Sequence, residues 1–170
     1  MDKNWKILTG QKIDYLTVFL SKFIEKELEN NIFDLEFLVG CDSQRKKFKI
    51  TYVTAIVIHR KCKIGGGGSG GRVFYKLENE THLKCTFIQP KLRLWNETQK
   101  SVEVALWLDE FLIDYALKVD CIHADLNADK KYLSNEVVGT CLGYIKGMGF
   151  NGSLKPNSWV ASKVADRMTK

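Results

Sequence analysis

No apolar run in this 170-residue chain approaches the length of about 20 residues that a membrane-spanning helix needs. The N-terminus, MDKNWKILTGQ, also lacks the hydrophobic centre of a signal peptide. The cysteines at 41, 62, 85, 121 and 141 are odd in number, widely spread and nowhere arranged as CxxC. That pattern disfavours a disulfide framework or a zinc site and fits reduced thiols, so the expected compartment is the cytoplasm. The three histidines, His59, His82 and His123, are too scattered to form a ligand set. No glycine-rich phosphate loop follows a strand and opens a helix, which argues against a kinase-type nucleotide site.

What is present suits one folded unit. Hydrophobic residues make up 45% of the chain, enough for one good core, and a single domain over 1–170 is expected. Charged residues make up 27%, which excludes global disorder. The net charge of +6 permits a polyanionic partner without establishing one.

Periodicity gives an ordered series of elements. Ile13, Leu16, Phe19, Leu20, Phe23, Ile24 and Leu28 recur at helical spacing and predict an N-terminal helix over 12–30. A strand ending near Asp42 follows, then Phe48–His59, rich in β-branched residues, then Arg72–Leu77. The links between these three are too short for helical crossovers, so they form an antiparallel meander. GGGGSGG, residues 65–71, has the composition of a flexible linker and is expected to be a hairpin turn. The longest helix is expected over Glu97–Leu117, with Val102, Ala105, Leu106, Leu112, Ile113 and Ala116 on one stripe. Asp109 falls inside that stripe, and a salt bridge to a neighbouring helix accounts for it. KVDCIHADLN reads as a strand, Asn135–Met148 as a helix, FNGSLKP as a last short strand and Ser158–Met168 as a final helix. After the leading helix the order is βββ-α-β-α-β-α. This is an α/β pattern with a mixed five-stranded sheet and helices on its faces.

Two of these strands end on acids. FLVGCDSQ closes a hydrophobic run on Asp42, and Asp125 shares one strand face with Val119, Cys121, His123 and Asn127. A charge at the edge of a core is costly unless something pairs with it. Binding sites in open α/β sheets gather beyond the carboxyl ends of strands. Each acid equally suits the turn that follows it, so turn cap and binding site both remain open on pattern alone. Ser43, Gln44 and Asn127 lie beside them, either as site polar groups or as turn formers. Arg45, Lys46, Lys47 and Lys49, with Arg60, Lys61 and Lys63, give the first hairpin a basic rim, suited to phosphate or simply to solvent.

VGCDSQ, the helix opening NETQKSVEVAL, HADLN, the helix end GYIKGMGF and KPNSWVASKVADRMTK occur in this order. Together they resemble the YkuK-type branch of ribonuclease H-like nucleases, from about residue 12 to the end. The resemblance implies a ribonuclease H-like fold and a carboxylate cluster binding two Mg²⁺ or Mn²⁺ ions. It further implies hydrolysis of phosphodiester bonds in a nucleic acid partner. Matched motif by motif, the catalytic and metal-binding acids fall on Asp42, Glu97, Asp125 and Asp166. Crowded carboxylates repel one another unless cations are present, and hard divalent cations bind both carboxylate and phosphate oxygens. Glu97 flanks the apolar stripe beside Ser101, whereas Glu103 turns outward. Its plainer reading is a helix N-terminal acid favoured by the dipole. Asp166 faces away from Val160, Ala161, Val164, Ala165 and Met168, which on a helical wheel is also the place of a solvated charge. Lys155, just before Pro156, suits either a substrate phosphate or, as the plainer reading, an ordinary surface lysine. The alternative function is a nucleic-acid-binding module that keeps the fold without cleaving.

Overall fold

The computed structural model describes residues 1–47, 49–65, 68–81, 90–127, 129, 135–160 and 163. Its strands are β1 (Trp5–Ile7), β2 (Lys12–Ile13), β3 (Phe33–Lys46), β4 (Lys49–Cys62), β5 (Gly68–Thr81), β6 (Cys121–Asn127) and β7 (Gly152–Lys155). Its helices are α1 (Leu16–Asn30), α2 (Pro90–Leu112) and α3 (Asn135–Gly147), with a 3₁₀ turn at Ile113–Tyr115. The strands form one seven-stranded mixed sheet in the order β2-β1-β5-β4-β3-β6-β7. The five expected strands are its body: β3, β4 and β5 are an antiparallel meander, and β6 and β7 add in parallel. The short β1 and β2 extend it along the outer edge of β5.

Helix α1 begins at Leu16, later than the periodicity predicts, because Lys12 and Ile13 pair with β1. Its first turn is capped from a distance. Asp2 accepts the Thr17 backbone N–H at 2.7 Å and the Thr17 hydroxyl at 2.9 Å. Leu16, Leu20, Phe23 and Ile24 face the core, while Phe19 and Leu28 stay substantially exposed. Asn31 ends the helix in the left-handed region at φ 49°, where asparagine is among the few side chains readily accepted.

Strand β3 does not stop at Asp42. It continues to Lys46, because β3 and β4 stay paired up to Lys46↔Lys49. What ends near Asp42 is its pairing to β6, whose last register pair is Cys41↔Ala124. The glycine tract also departs from expectation. Gly65 lies in a turn, but Gly68 to Gly71 belong to β5, in register with Lys61 and His59 of β4. A Cβ on Gly71 would stand 2.3 Å from the Ile58 carbonyl oxygen, so only glycine fits that approach.

Helix α2 starts at Pro90, two turns before Glu97, with proline at the first helical position. One sheet face packs against the three helices through Phe37, Val39, Ile56, Val102, Leu108, Ile122 and Cys141. The opposite face gathers Leu38, Val53, Val57, Tyr75 and Val160. Asp109 does not serve as the expected interhelical ion pair. It accepts the Val119 backbone N–H at 2.8 Å and so tethers the segment entering β6. The expected final helix lies largely outside the described residues; within it only Ser158, Trp159, Val160 and Lys163 are described. The four described cysteines, 41, 62, 121 and 141, are free thiols. Among the described residues, no helix is long and apolar enough to cross a membrane.

Candidate active site

Parallel pairing aligns the two strand acids. Gly40 is in register with His123 and Cys41 with Ala124, so Asp42 and Asp125 are the next same-face neighbours. Adjacent strands lie about 4.8 Å apart, which sets the scale of their approach. Both project from the sheet face of Leu38 and Cys121, where Val160 and Trp159 pack. Asp42 Oδ1 accepts the backbone N–H of the next residue, Ser43, at 2.8 Å, within strand β3. Asn127 Oδ1 accepts the backbone N–H of Asp129, two residues on, at 3.0 Å, the bond of a local turn former.

Glu97 approaches from the α2 side of the sheet. It is 4% exposed, whereas Glu103 is exposed. Ser43 points to this side, and its hydroxyl donates to Glu97 Oε1 at 2.6 Å. Arg93, one helical turn before Glu97, donates to the Ser43 carbonyl at 2.6 Å and lies 3.8 Å from Glu97 Oε1. The Glu97 carboxyl is pushed up to about 8, chiefly by burial, with the charges of Asp42 and Asp125 adding to the effect. The Ser43 hydrogen bond and the Arg93 guanidinium oppose that rise without cancelling it. A narrow pocket lined by Glu97, Ser101, Ala124 and Asp125 runs between the helix and the strand end.

Lys155 completes the surroundings. Its ammonium stands 2.8 Å from Asp125 Oδ1, close enough for an ion pair. The contact lacks hydrogen-bond alignment, and Asp125 Oδ1 is buried with no hydrogen-bond partner among the described residues. A buried carboxylate oxygen without a hydrogen bond, beside a second carboxylate, is an oxygen donor set suited to a hard divalent cation. As they stand, Asp42, Glu97 and Asp125 do not close into a ligand cage. Among the described residues no three His, Cys, Asp or Glu side chains are grouped to hold a metal ion. Asp166 lies outside the described residues.

His123 has a structural task instead of a ligand's. Its Nδ1 accepts the Val160 backbone N–H at 3.3 Å, and Trp159 packs edge-on against it at 5.8 Å. Burial lowers the His123 pKa and favours the neutral ring that this bond requires. The basic rim divides in two. Arg60 and Lys61 pair with Leu35 and Asp34 at the far end of the hairpin, whereas Lys46 and Lys49 close its tip beyond Asp42. Arg93 is the polar residue that sequence pattern did not single out. With the helix expected to start at Glu97, it stood outside the element; the signal available was its i,i+4 spacing to Glu97.

The model of the ribonuclease H-like family matches residues 18–170, nearly the whole chain. No curated protein matches the chain. No solved structure matches it either. On the family match, and on a mixed sheet of antiparallel and parallel strands flanked by helices, the chain belongs to the ribonuclease H-like family.

Proposed function

We propose that this protein is a divalent-metal-dependent nuclease that hydrolyses phosphodiester bonds of nucleic acid. One observation carries the reading: the β3–β6 register sets Asp42 and Asp125 side by side where their pairing ends, with Glu97 buried across β3. In this reading Asp42 and Asp125 hold the cations, Mg²⁺ or Mn²⁺, and Glu97 and Asp166 complete the set. Such ions, when bound, supply a water acidic enough to attack phosphorus and a counter-charge for the leaving oxygen. The protein's own groups do the rest. Ser43 and Arg93 fix the Glu97 carboxyl against β3. Lys155, exposed and resting on Asp125, is a ready donor to a phosphate oxygen.

The test is calorimetric titration of Mn²⁺ into the wild type, Asp42→Asn and Asp125→Asn, followed by a cleavage assay on labelled RNA and DNA. Saturable binding and cleavage in the wild type, both lost in the folded variants, are the expected results. Unchanged turnover in folded Asp42→Asn refutes the proposal. The second reading is a module that binds nucleic acid without cutting it. It draws on the cationic groups of Arg93 and Lys155 already resting on Glu97 and Asp125. A wild type that binds nucleic acid but cleaves none with either ion would establish it.

A further inference from the structure

The cationic groups of the β3–β4 ribbon are treated differently at its two ends. At the far end each has an acid. Arg60 lies 3.3 Å from Glu27, Lys61 2.6 Å from Glu36, and Lys63 3.8 Å from Asp34. At the tip, Lys46, Lys47 and Lys49 are exposed and have no acid partner among the described residues. The nearest acids on the neighbouring strand are engaged elsewhere. Glu78 pairs with Lys76 and Lys100, and Glu80 with Lys100. Lys46 and Lys49 stand directly opposite one another, a like-charge cross-strand pair that weakens a hairpin unless an anion lies between them. Lys47 occupies the left-handed region at φ 53°, where glycine or asparagine would be less strained. Two locally unfavourable choices, a like-charge pair and a lysine in the left-handed region, thus concentrate cationic charge at one point.

That point is aligned with the acids. Lys46 follows Asp42 by four residues along the same strand, about 14 Å in extended chain. At a rise of about 3.4 Å per nucleotide along a duplex strand, this corresponds to about four nucleotides. We propose that the β3–β4 hairpin tip is a backbone clamp. It grips phosphates of a nucleic acid strand about four nucleotides from the one placed at Asp42 and Asp125. The position of the gripped phosphates relative to the acids rests on the nuclease reading above; the grip itself does not. Phosphate contacts of this kind position a substrate without reading its sequence.

The experiment is fluorescence anisotropy with labelled DNA and RNA duplexes in EDTA, so that cleavage plays no part. It compares the wild type, Lys46→Gln/Lys47→Gln/Lys49→Gln, and the far-end control Lys61→Gln/Lys63→Gln, each checked for folding by circular dichroism. Three lost phosphate contacts make the wild type's advantage over the tip variant shrink by about 40-fold between about 50 and about 200 mM salt. The far-end control should keep the wild-type affinity and salt slope. Equal affinity and slope in the tip variant overturn the clamp while leaving the nuclease proposal standing. A wild type that binds neither duplex overturns it as well, as does lysine-dependent binding to phosphatidylserine vesicles with none to nucleic acid. Clamp-dependent binding with no cleavage on adding either Mn²⁺ or Mg²⁺ upholds the clamp and refutes the nuclease.

Discussion

Replacing Glu97 by glutamine should make the metal-free protein more stable at alkaline pH. In the folded chain Glu97 releases its proton at about 8, whereas its ordinary value is 4.5. The folded state therefore keeps a proton that the unfolded chain gives up between those values. The stabilisation is full below pH 4.5 and is lost as pH rises through about 8. Each pH unit in that interval costs about 1.4 kcal/mol, and the whole interval about 5 kcal/mol. Glu97 is 4% exposed, so solvent screening does little to reduce this. A loss of that size is comparable with the total stability of a small domain. Glutamine has nearly the same shape, can accept the Ser43 bond and has no proton to lose. Urea unfolding in EDTA at intervals from pH 5 to pH 9 measures the effect as the stability difference between wild type and variant. Groups that do not touch Glu97, including Glu36, Glu78 and His123, cancel in that difference. The difference should shift steadily in favour of Glu97→Gln as pH rises. Parallel stability curves for the two proteins would refute both the burial argument and the assigned ionisation.

Two further outcomes follow from the same geometry. In one Mn²⁺-dependent cleavage assay, Glu97→Gln should lose at least about 10-fold in rate, as loss of a group that holds or orients a metal does, and Glu103→Gln almost nothing; the reverse ranking would remove Glu97 from the site. Gly71→Ala should destabilise by about 1–3 kcal/mol, because its Cβ would meet the Ile58 carbonyl at 2.3 Å. Gly139→Ala in α3, with open space around it, should instead gain about 0.5–1 kcal/mol, and both are read from the urea midpoint.

Much of the architecture was legible because it rests on local periodicity. The meander, the alternation of helix and strand after it, and the burial of Glu97 beside an exposed Glu103 all follow from side-chain spacing. So do two acids at the ends of apolar runs. Boundaries were less legible where the deciding contact is remote. Periodicity starts the first helix at 12, but pairing with β1 takes Lys12 and Ile13, and Asp2 caps the helix from outside it. Apolar spacing starts the long helix at Glu97, but the helix runs from Pro90, and Leu94 and Trp95 of its first two turns pack against the core. For the same reason Arg93 escaped notice.

The sequence by itself determined which residues are apolar, at what period, and where charge interrupts them, since these are properties of neighbours along the chain. Only the tertiary structure decided that Asp42 ends a strand pairing and not a strand. It alone put Asp42 and Asp125 on one face and sent Ser43 through to Glu97 on the other. It also drew Gly68 to Gly71 out of a loop and into the sheet. Register between strands far apart in sequence fixes all of these, and register is set by the packing of whole faces, which no short stretch of chain contains.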